Sequence, residues 1–459
     1  MTKTENPSSW WRYRYFVAAL LFFGYSIQYL DRVKTTVLTP LIMHSVGLTY
    51  GDIGNGIFLM MIFYGPSQFI SGWLCDKYGS KKVLIFSLIS WGILTAYMAD
   101  MRTPQEWYIR MALFGILVGT EFVPSARLLA RWFPSRQRAQ AQSSLSWAWI
   151  LTPAWASILA TQLAAYFGDW RPVFIVAAAL GLIPLILVLM YIKDRPEQLK
   201  GISQLELEES YEDELASGII TVADLMEGKT GNLKKKIDQK VYIPMKEILS
   251  YPGFWAIAIV DIACQMTFWG VLSWSPTYLA DVFKFSITKM GIWASVYFIA
   301  GVVGAYLSSW ISDKLLDSRR KPMIVVSFLG TFPMIIALAM LPAGVSHGVL
   351  LLVLALAGFF ANMAWGPFLS WPADVFSPEV YGKAMGFVNM LAYIGGAFAP
   401  LIMSRLIIKS ATGTNYTYSW IFIACCCLVG LIAASTVKDK KYQPQGTLNQ
   451  REGQRPASS

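Results

Sequence analysis

The 459-residue chain is 55% hydrophobic and only 14% charged, against the roughly 25% charge of a soluble domain, which excludes an ordinary water-soluble enzyme or binding module. Its net charge of +10 does not point to nucleic acid, because the basic residues stand in short loops between apolar blocks, where they set membrane topology. Apolar blocks of about twenty residues, rather than alternating stretches of about ten, predict membrane-spanning helices and not a β-barrel.

The N-terminal stretch MTKTENPSSWWRYRY has no cleavable signal pattern, so the first apolar block is expected to stay as the first span. That block, 15–42, contains YSIQYLDRVKTT, with Asp31, Arg32 and Lys34 inside it. One ionised side chain at the centre of a lipid-facing helix costs about 2.5–3.5 kcal/mol on insertion scales, so three within four residues need water, partners or a function. The helix could simply end at Leu30, but Val33, Val37, Leu38, Leu41 and Ile42 continue its pattern and favour an intramembrane charge cluster.

Eleven further blocks follow, near 52–75, 83–99, 106–131, 140–166, 171–192, 252–280, 286–312, 323–341, 347–376, 382–409 and 418–436. Arg12, Arg14, Lys77, Lys81, Lys82, Arg131, Arg136, Arg138, Arg319, Arg320, Lys321, Lys438, Lys440 and Lys441 then fall on one side. The positive-inside rule makes that side cytoplasmic, with both termini inside. Residues 193–249 form the one long polar segment, with the acidic run ELEESYEDE and the basic run KKKIDQK; the acidic run reads as a solvated helix face or linker. The expected organisation is therefore an N-terminal bundle (1–192), a cytoplasmic linker (193–249), a C-terminal bundle (250–437) and a disordered tail (438–459). Cys75, Cys264 and Cys425 to Cys427 lack metal-ligand spacing and read as packing residues. No HExxH, GxSxG or phosphate-loop pattern suggests an enzyme, metal site or cofactor.

The loop after the second block, GWLCDKYGSKK, repeats after the eighth as SWISDKLLDSRRK. Trp73, Asp76 and Lys77 match Trp310, Asp313 and Lys314 at one offset, the mark of two related six-helix halves. On these loops the chain resembles a major facilitator superfamily transporter over nearly its whole length. The resemblance implies an all-α integral membrane fold, twelve transmembrane helices in two pseudo-symmetric bundles that rock about a central site, with Asp76, Lys77, Asp313 and Lys314 in gating loops. More narrowly, YLDR, GWLCDKYGSKK, RWFP (131–134) and GFVNMLAYIGGAFAP (386–400) resemble the anion:cation symporter family. That implies a plasma-membrane symporter importing an organic anion, such as a sugar acid or other carboxylate, with protons. LSWSPTYL (272–279) is similar to the organophosphate antiporters, but their second arginine falls here on Phe268 or Trp269; anion or organophosphate exchange or export is the alternative. The expected partners are the anion, protons and membrane lipids, with no nucleic acid, and the expected state is a monomer.

An organic anion in a low-dielectric cavity needs a fixed positive charge, and the forked guanidinium of Arg32 suits a carboxylate. Tyr29 and Gln28 share its helix face, whereas adjacent Asp31 points about 100° away and cannot saturate it. Proton coupling needs a carboxylate that changes charge during the cycle, and Asp31 and Glu121 are the candidates. Arg110, eleven residues before Glu121, projects within about 20° of it. Relatives place the glutamate seven residues after the arginine, at Leu117 here, so the acid reads as moved by one turn. Glu121 could instead pair with Arg127 or Arg131. Arg110 resembles the family's helix-four arginine, which implies an Asp31–Arg110 bridge that protonation breaks. Asp261, with Gln265 one turn on, either faces the cavity or caps a neighbouring helix. Tyr64 and Gln68 lie one turn apart on span two, and Trp269, Trp365 and Asn389 match pocket positions of the family, Asn389 being expected buried. Trp149 stands where relatives carry a polar residue, which favours a substrate with an apolar or aromatic portion. Lys34 either adds charge to the site or snorkels to the outer surface, the reading preferred from sequence.

Overall fold

Every predicted apolar block contains a helix in the computed structural model, which describes residues 12–199, 201–216, 221–222, 225, 245–250, 253–317, 319–376, 378–410 and 413–437, although the block 382–409 ends in the short strand Ile408–Ser410. Span one is Tyr13–Val37, followed by a short helix Thr39–Val46 whose first turn holds Pro40. Spans two and three are Tyr50–Tyr78 and Ser80–Met98. Span four is broken into Pro104–Val118 and Phe122–Trp132, span five is Ser135–Phe167, and span six is broken into Arg171–Leu180 and Leu182–Tyr191. The second half repeats the order with Phe254–Phe283, Ile287–Lys314, Lys321–Met340, the broken pair His347–Met363 and Trp365–Val375, then Pro378–Leu406 and Thr417–Thr436. Eleven of these twelve are long and apolar enough to cross a membrane; span one is the twelfth, its apolarity lowered by Asp31, Arg32 and Lys34. Phe69, Ile93, Ile109, Met340 and Ile432 point outward and exposed, a surface that only lipid would cover. The chain is a multi-pass membrane protein.

The internal repeat is physical as well as textual. Pro124 in span four and Pro367 in span ten cannot donate to the carbonyls four residues back, Thr120 and Met363. In each half a serine one spacing before the repeated loop fills the vacancy: Ser71 Oγ donates to Thr120 O at 2.8 Å and Ser308 Oγ to Met363 O at 2.7 Å. Ser71 and Ser308 share the offset that relates Asp76 to Asp313. A hydroxyl from a neighbouring span is one way a membrane helix tolerates proline, since no water reaches the freed carbonyl.

The acidic run differs from its sequence reading. Part of it forms the helix Gln204–Ser210, and Glu206 is buried rather than solvated. Its carboxylate accepts from Arg14 N at 2.8 Å and Tyr13 N at 3.2 Å, two of the amides that a helix start leaves without partners. Glu209 pairs with Arg14 at 2.7 Å and with Arg12, and Ser210 Oγ donates to Trp132 O at 3.1 Å. The linker thus clasps the starts of span one and the end of span four. Glu206→Ala should speed amide exchange at residues 13–16 by tenfold or more, matching the ~1.5–3 kcal/mol of hydrogen bonds to a charged group; unchanged protection there would mean the clasp is idle. The basic run 234–240 and the tail 438–459 lie outside the described residues.

The two halves meet at the end opposite the clasp, called here the far end. Tyr50 donates to Asp281 at 2.7 Å, as does Tyr416 at 2.6 Å, and Arg405 Nη2 donates to Asn55 Oδ1 at 3.1 Å. Gly54 and Gly291 allow this approach: a Cβ on Gly54 would strike Ser404 and the Pro400 carbonyl, and one on Gly291 would strike Thr161. Small residues let membrane helices come this close.

Candidate functional site

Arg32 sits midway along the seam between the halves and is only 3% exposed. Its guanidinium carbon lies 4.3 Å from the Tyr64 ring centroid, 5.1 Å from that of Tyr29 and 6.0 Å from that of Trp269. Tyr393 packs on Tyr64 at 4.8 Å, so rings from both halves enclose the charge. Aromatic faces attract a cation but do not use up its N–H donors, and Nε and Nη2 have no hydrogen-bond partner. A buried guanidinium with free donors is costly unless something fills them. The chemistry offered is bidentate binding of a carboxylate, sulfonate or phosphate.

A cavity of about 190 Å³ adjoins this cage. Tyr25, Tyr29, Gln68 and Trp149 line it from the first half, and Asp261, Gln265, Phe268, Trp269, Trp365, Asn389 and Tyr393 from the second. Trp149 meets Trp365 edge-on at 4.6 Å and Phe268 at 5.3 Å. Asn389 is exposed within it rather than buried among small residues, because its helix face turns to the cavity and not to a neighbour. Asp261 resolves its two readings: it lines the cavity, is 1% exposed, and its Oδ2 has no partner. Glu121 lies at the break in span four, buried, with Oε2 unpartnered and Arg32 as its charged neighbour. It does not pair with Arg127 or Arg131, which bind Asp76 at 2.5 Å and Asp194 at 3.6 Å.

Four sequence assignments move. Asp31 turns away from the cavity into the first half, where Lys34 pairs with it at 2.5 Å, Trp91 Nε1 donates at 2.5 Å and Thr95 Oγ1 donates as well. With its oxygens so occupied it does not bridge to Arg110. Arg110 reaches instead toward the far end, pairing with Glu106 at 2.8 Å, bonding the Tyr97 carbonyl and lying 3.8 Å over the Tyr97 ring. Lys34 is fully buried, 3.5 Å above the Phe174 ring, and does not snorkel, because Asp31 one turn back supplies its counter-charge. Gln28 stands behind Arg32 and not in the cavity: its Nε2 donates at 3.3 Å to the Val118 carbonyl, next to the break in span four. In the repeated loops Asp76 pairs with Arg127 and Asp313 with Arg320; Lys77 lies 5.3 Å from the Trp73 ring, and Lys314 is exposed.

Tyr25 and Tyr393, not among the expected site residues, also line the cavity. Helical spacing carried the signal: Tyr25 is one turn before Tyr29, and Tyr393 one turn after Asn389. Phe268, one of the two residues standing where the organophosphate antiporters carry their second arginine, is also a wall of the cavity.

The Major Facilitator Superfamily model matches residues 21–400 and 290–459. The chain is 26% identical to the probable sulfoacetate transporter SauU of Cupriavidus necator, over 87% of this chain and 88% of that protein. It is likewise 26% identical to the probable galactarate/D-glucarate transporter GarP of Escherichia coli K12, over 91% and 93%. Among solved structures, the inward open xylose transporter XylE of E. coli superposes with a TM-score of 0.70 at 17% identity, covering 96% of this chain and 99% of that one.

Proposed function

The chain belongs to the major facilitator superfamily, a family of membrane transporters and not enzymes, and on that premise we propose that it carries a small organic anion by alternating access, importing it with protons across the plasma membrane. The observation that supports this most is the buried Arg32 guanidinium with Nε and Nη2 unpartnered, caged by rings of both halves, of which Tyr29 and Trp269 also line the adjoining cavity. The names of the relatives agree, since sulfoacetate, galactarate and glucarate are all organic anions.

Tyr29, Tyr64 and Trp269 hold the guanidinium in place, and Gln68, Trp365 and Asn389 contact the remainder of the substrate. The ion-paired loops around Asp76 and Asp313, with Lys77 and Lys314, act in gating. With both termini cytoplasmic, far-end closure corresponds to an inward-facing state. Glu121 is the proton site: it is buried, its Oε2 has no partner and Arg32 is its charged neighbour, so its charge and the substrate's compete for one cation.

In vesicles with an imposed pH gradient, Glu121→Gln should lose concentrative uptake and keep substrate counterflow. Undiminished gradient-driven uptake by the variant would remove Glu121 from coupling. Uptake by the unmodified protein that ignores the gradient but needs internal anion would make the protein an exchanger.

A further inference from the structure

Span seven presents Asp261, Gln265, Phe268 and Trp269 to the cavity, the spacing of one helix face. Asp261 is the acid of that face. It lines a cavity whose other walls include Phe268, Trp149 and Trp365 together with Gln68, Gln265 and Asn389, and its buried Oδ2 has no hydrogen-bond partner. The anion anchor Arg32 belongs to the first half and Asp261 to the second, so the site sets a guanidinium and a carboxyl group on the two bodies that must close together.

From this geometry we propose that the substrate is an organic acid that also carries a protonated amine, its acid group on Arg32 and its ammonium on Asp261 among the surrounding aromatic rings. The inference rests on the anion reading of Arg32 and goes further, to the second charge. A neutral hydroxyl would gain one hydrogen bond from Asp261, whereas an ammonium is drawn both by the carboxylate and by the ring faces. A second acid group on the substrate would be repelled there.

The spacing restricts the ligand. Asp261 precedes Trp269 by eight residues, about 12 Å along the helix axis, and the Arg32 guanidinium lies 6.0 Å from the Trp269 ring. With Asp261 two helical turns from the ring beside Arg32, the proposal places the ligand's acid and ammonium groups on separate turns of the site rather than on one carbon. ω-Amino acids of the length of 4-aminobutyrate to 6-aminohexanoate meet this requirement. Such a molecule bridges the halves and cancels both buried charges at once, which favours closure around it.

The purified full-length protein should be titrated by thermal shift with 4-aminobutyrate, 5-aminopentanoate and 6-aminohexanoate. Each is compared with the hydroxy acid of the same length and with adipate. The expected result is tighter binding of at least one amino acid than of its hydroxy partner, by about tenfold. Asp261→Asn should erase that preference, weakening amino-acid binding about tenfold more than hydroxy-acid binding. Equal or tighter binding of the hydroxy acids or adipate, no binding of any amine, or an amine preference that survives Asp261→Asn would each overturn the proposal. Should the variant not fold, the amine-to-hydroxyl ratio of the unmodified protein decides alone. Hydroxy-acid or adipate binding that Arg32→Ala abolishes would keep the anion reading while this one falls; anion binding that survives Arg32→Ala removes the anion reading itself.

Discussion

Arg32→Met should abolish anion binding and transport while leaving the ligand-free protein as stable as before or more so. Two effects of opposite sign meet at this residue. In the loaded site the guanidinium supplies charge-assisted bonds to a desolvated acid, and truncating one partner of such a pair costs about 3–5 kcal/mol, a loss of affinity on the order of 10²- to 10⁴-fold. In the empty site the same group is a buried cation with Nε and Nη2 unpaired, and replacing it by an apolar side chain of similar length removes that penalty. Arg32→Lys should fail nearly as badly, because an ammonium cannot lie flat over Tyr64 or offer a fork to a carboxylate. Thermal unfolding with and without a panel of carboxylates and sulfonates reads both effects. A Met variant that still gains stability from the anions would refute the assignment of Arg32, and one that unfolds several degrees earlier without ligand would make the residue structural.

That sign pattern also shows which parts of the site the sequence carried. Charge inside an apolar block is visible in one dimension, so Arg32, Asp31, Lys34, Glu121 and Asp261 could all be picked out as residues needing partners. The span order was visible for the same reason, through block length and through the repeat that unites Asp76 with Asp313. Direction around a helix was only partly visible. Spacing placed Tyr29 beside Arg32, and the structure keeps them together. The same reasoning put Gln28 into the cavity, yet the rotation of span one sends it to the Val118 carbonyl. That carbonyl's position depends on where span four breaks, which follows from Pro124 and the approach of Ser71 rather than from residues near Gln28.

Partner choice across spans was the least visible feature. Asp31 and Arg110 both read as unsatisfied, and pairing them was economical. Each had a nearer option: Lys34 one turn along for Asp31, and Glu106 one turn back for Arg110. Local partners at helical spacing form without any requirement on tertiary geometry, and here they took precedence over the bridge between spans. The linker clasp was hidden for a related reason. Glu206 reads as one acid among many until the start of span one is placed beside it, with two backbone amides free to be capped.

The second large effect is expected at the Asp31–Lys34 pair, and it runs opposite to Arg32. Lys34→Met leaves Asp31 charged and buried with only Trp91 and Thr95 donating to it, while Asp31→Asn leaves Lys34 charged above Phe174. Breaking a buried pair from either side costs about 3–5 kcal/mol because one uncompensated charge remains, so each single variant should unfold well before the unmodified protein. The double variant Asp31→Asn with Lys34→Met removes both charges and should recover most of the loss, giving a coupling far from additive. Thermal unfolding of the four proteins in one detergent completes the cycle. Single variants within about 0.5 kcal/mol of the unmodified protein, the range of surface substitutions, would show that the pair holds nothing together. The double variant also separates the two acids once proposed for coupling. If Glu121 carries the proton, a folded protein lacking Asp31 should still accumulate substrate down a proton gradient; if it folds, binds substrate and no longer accumulates, Asp31 belongs to the proton path after all.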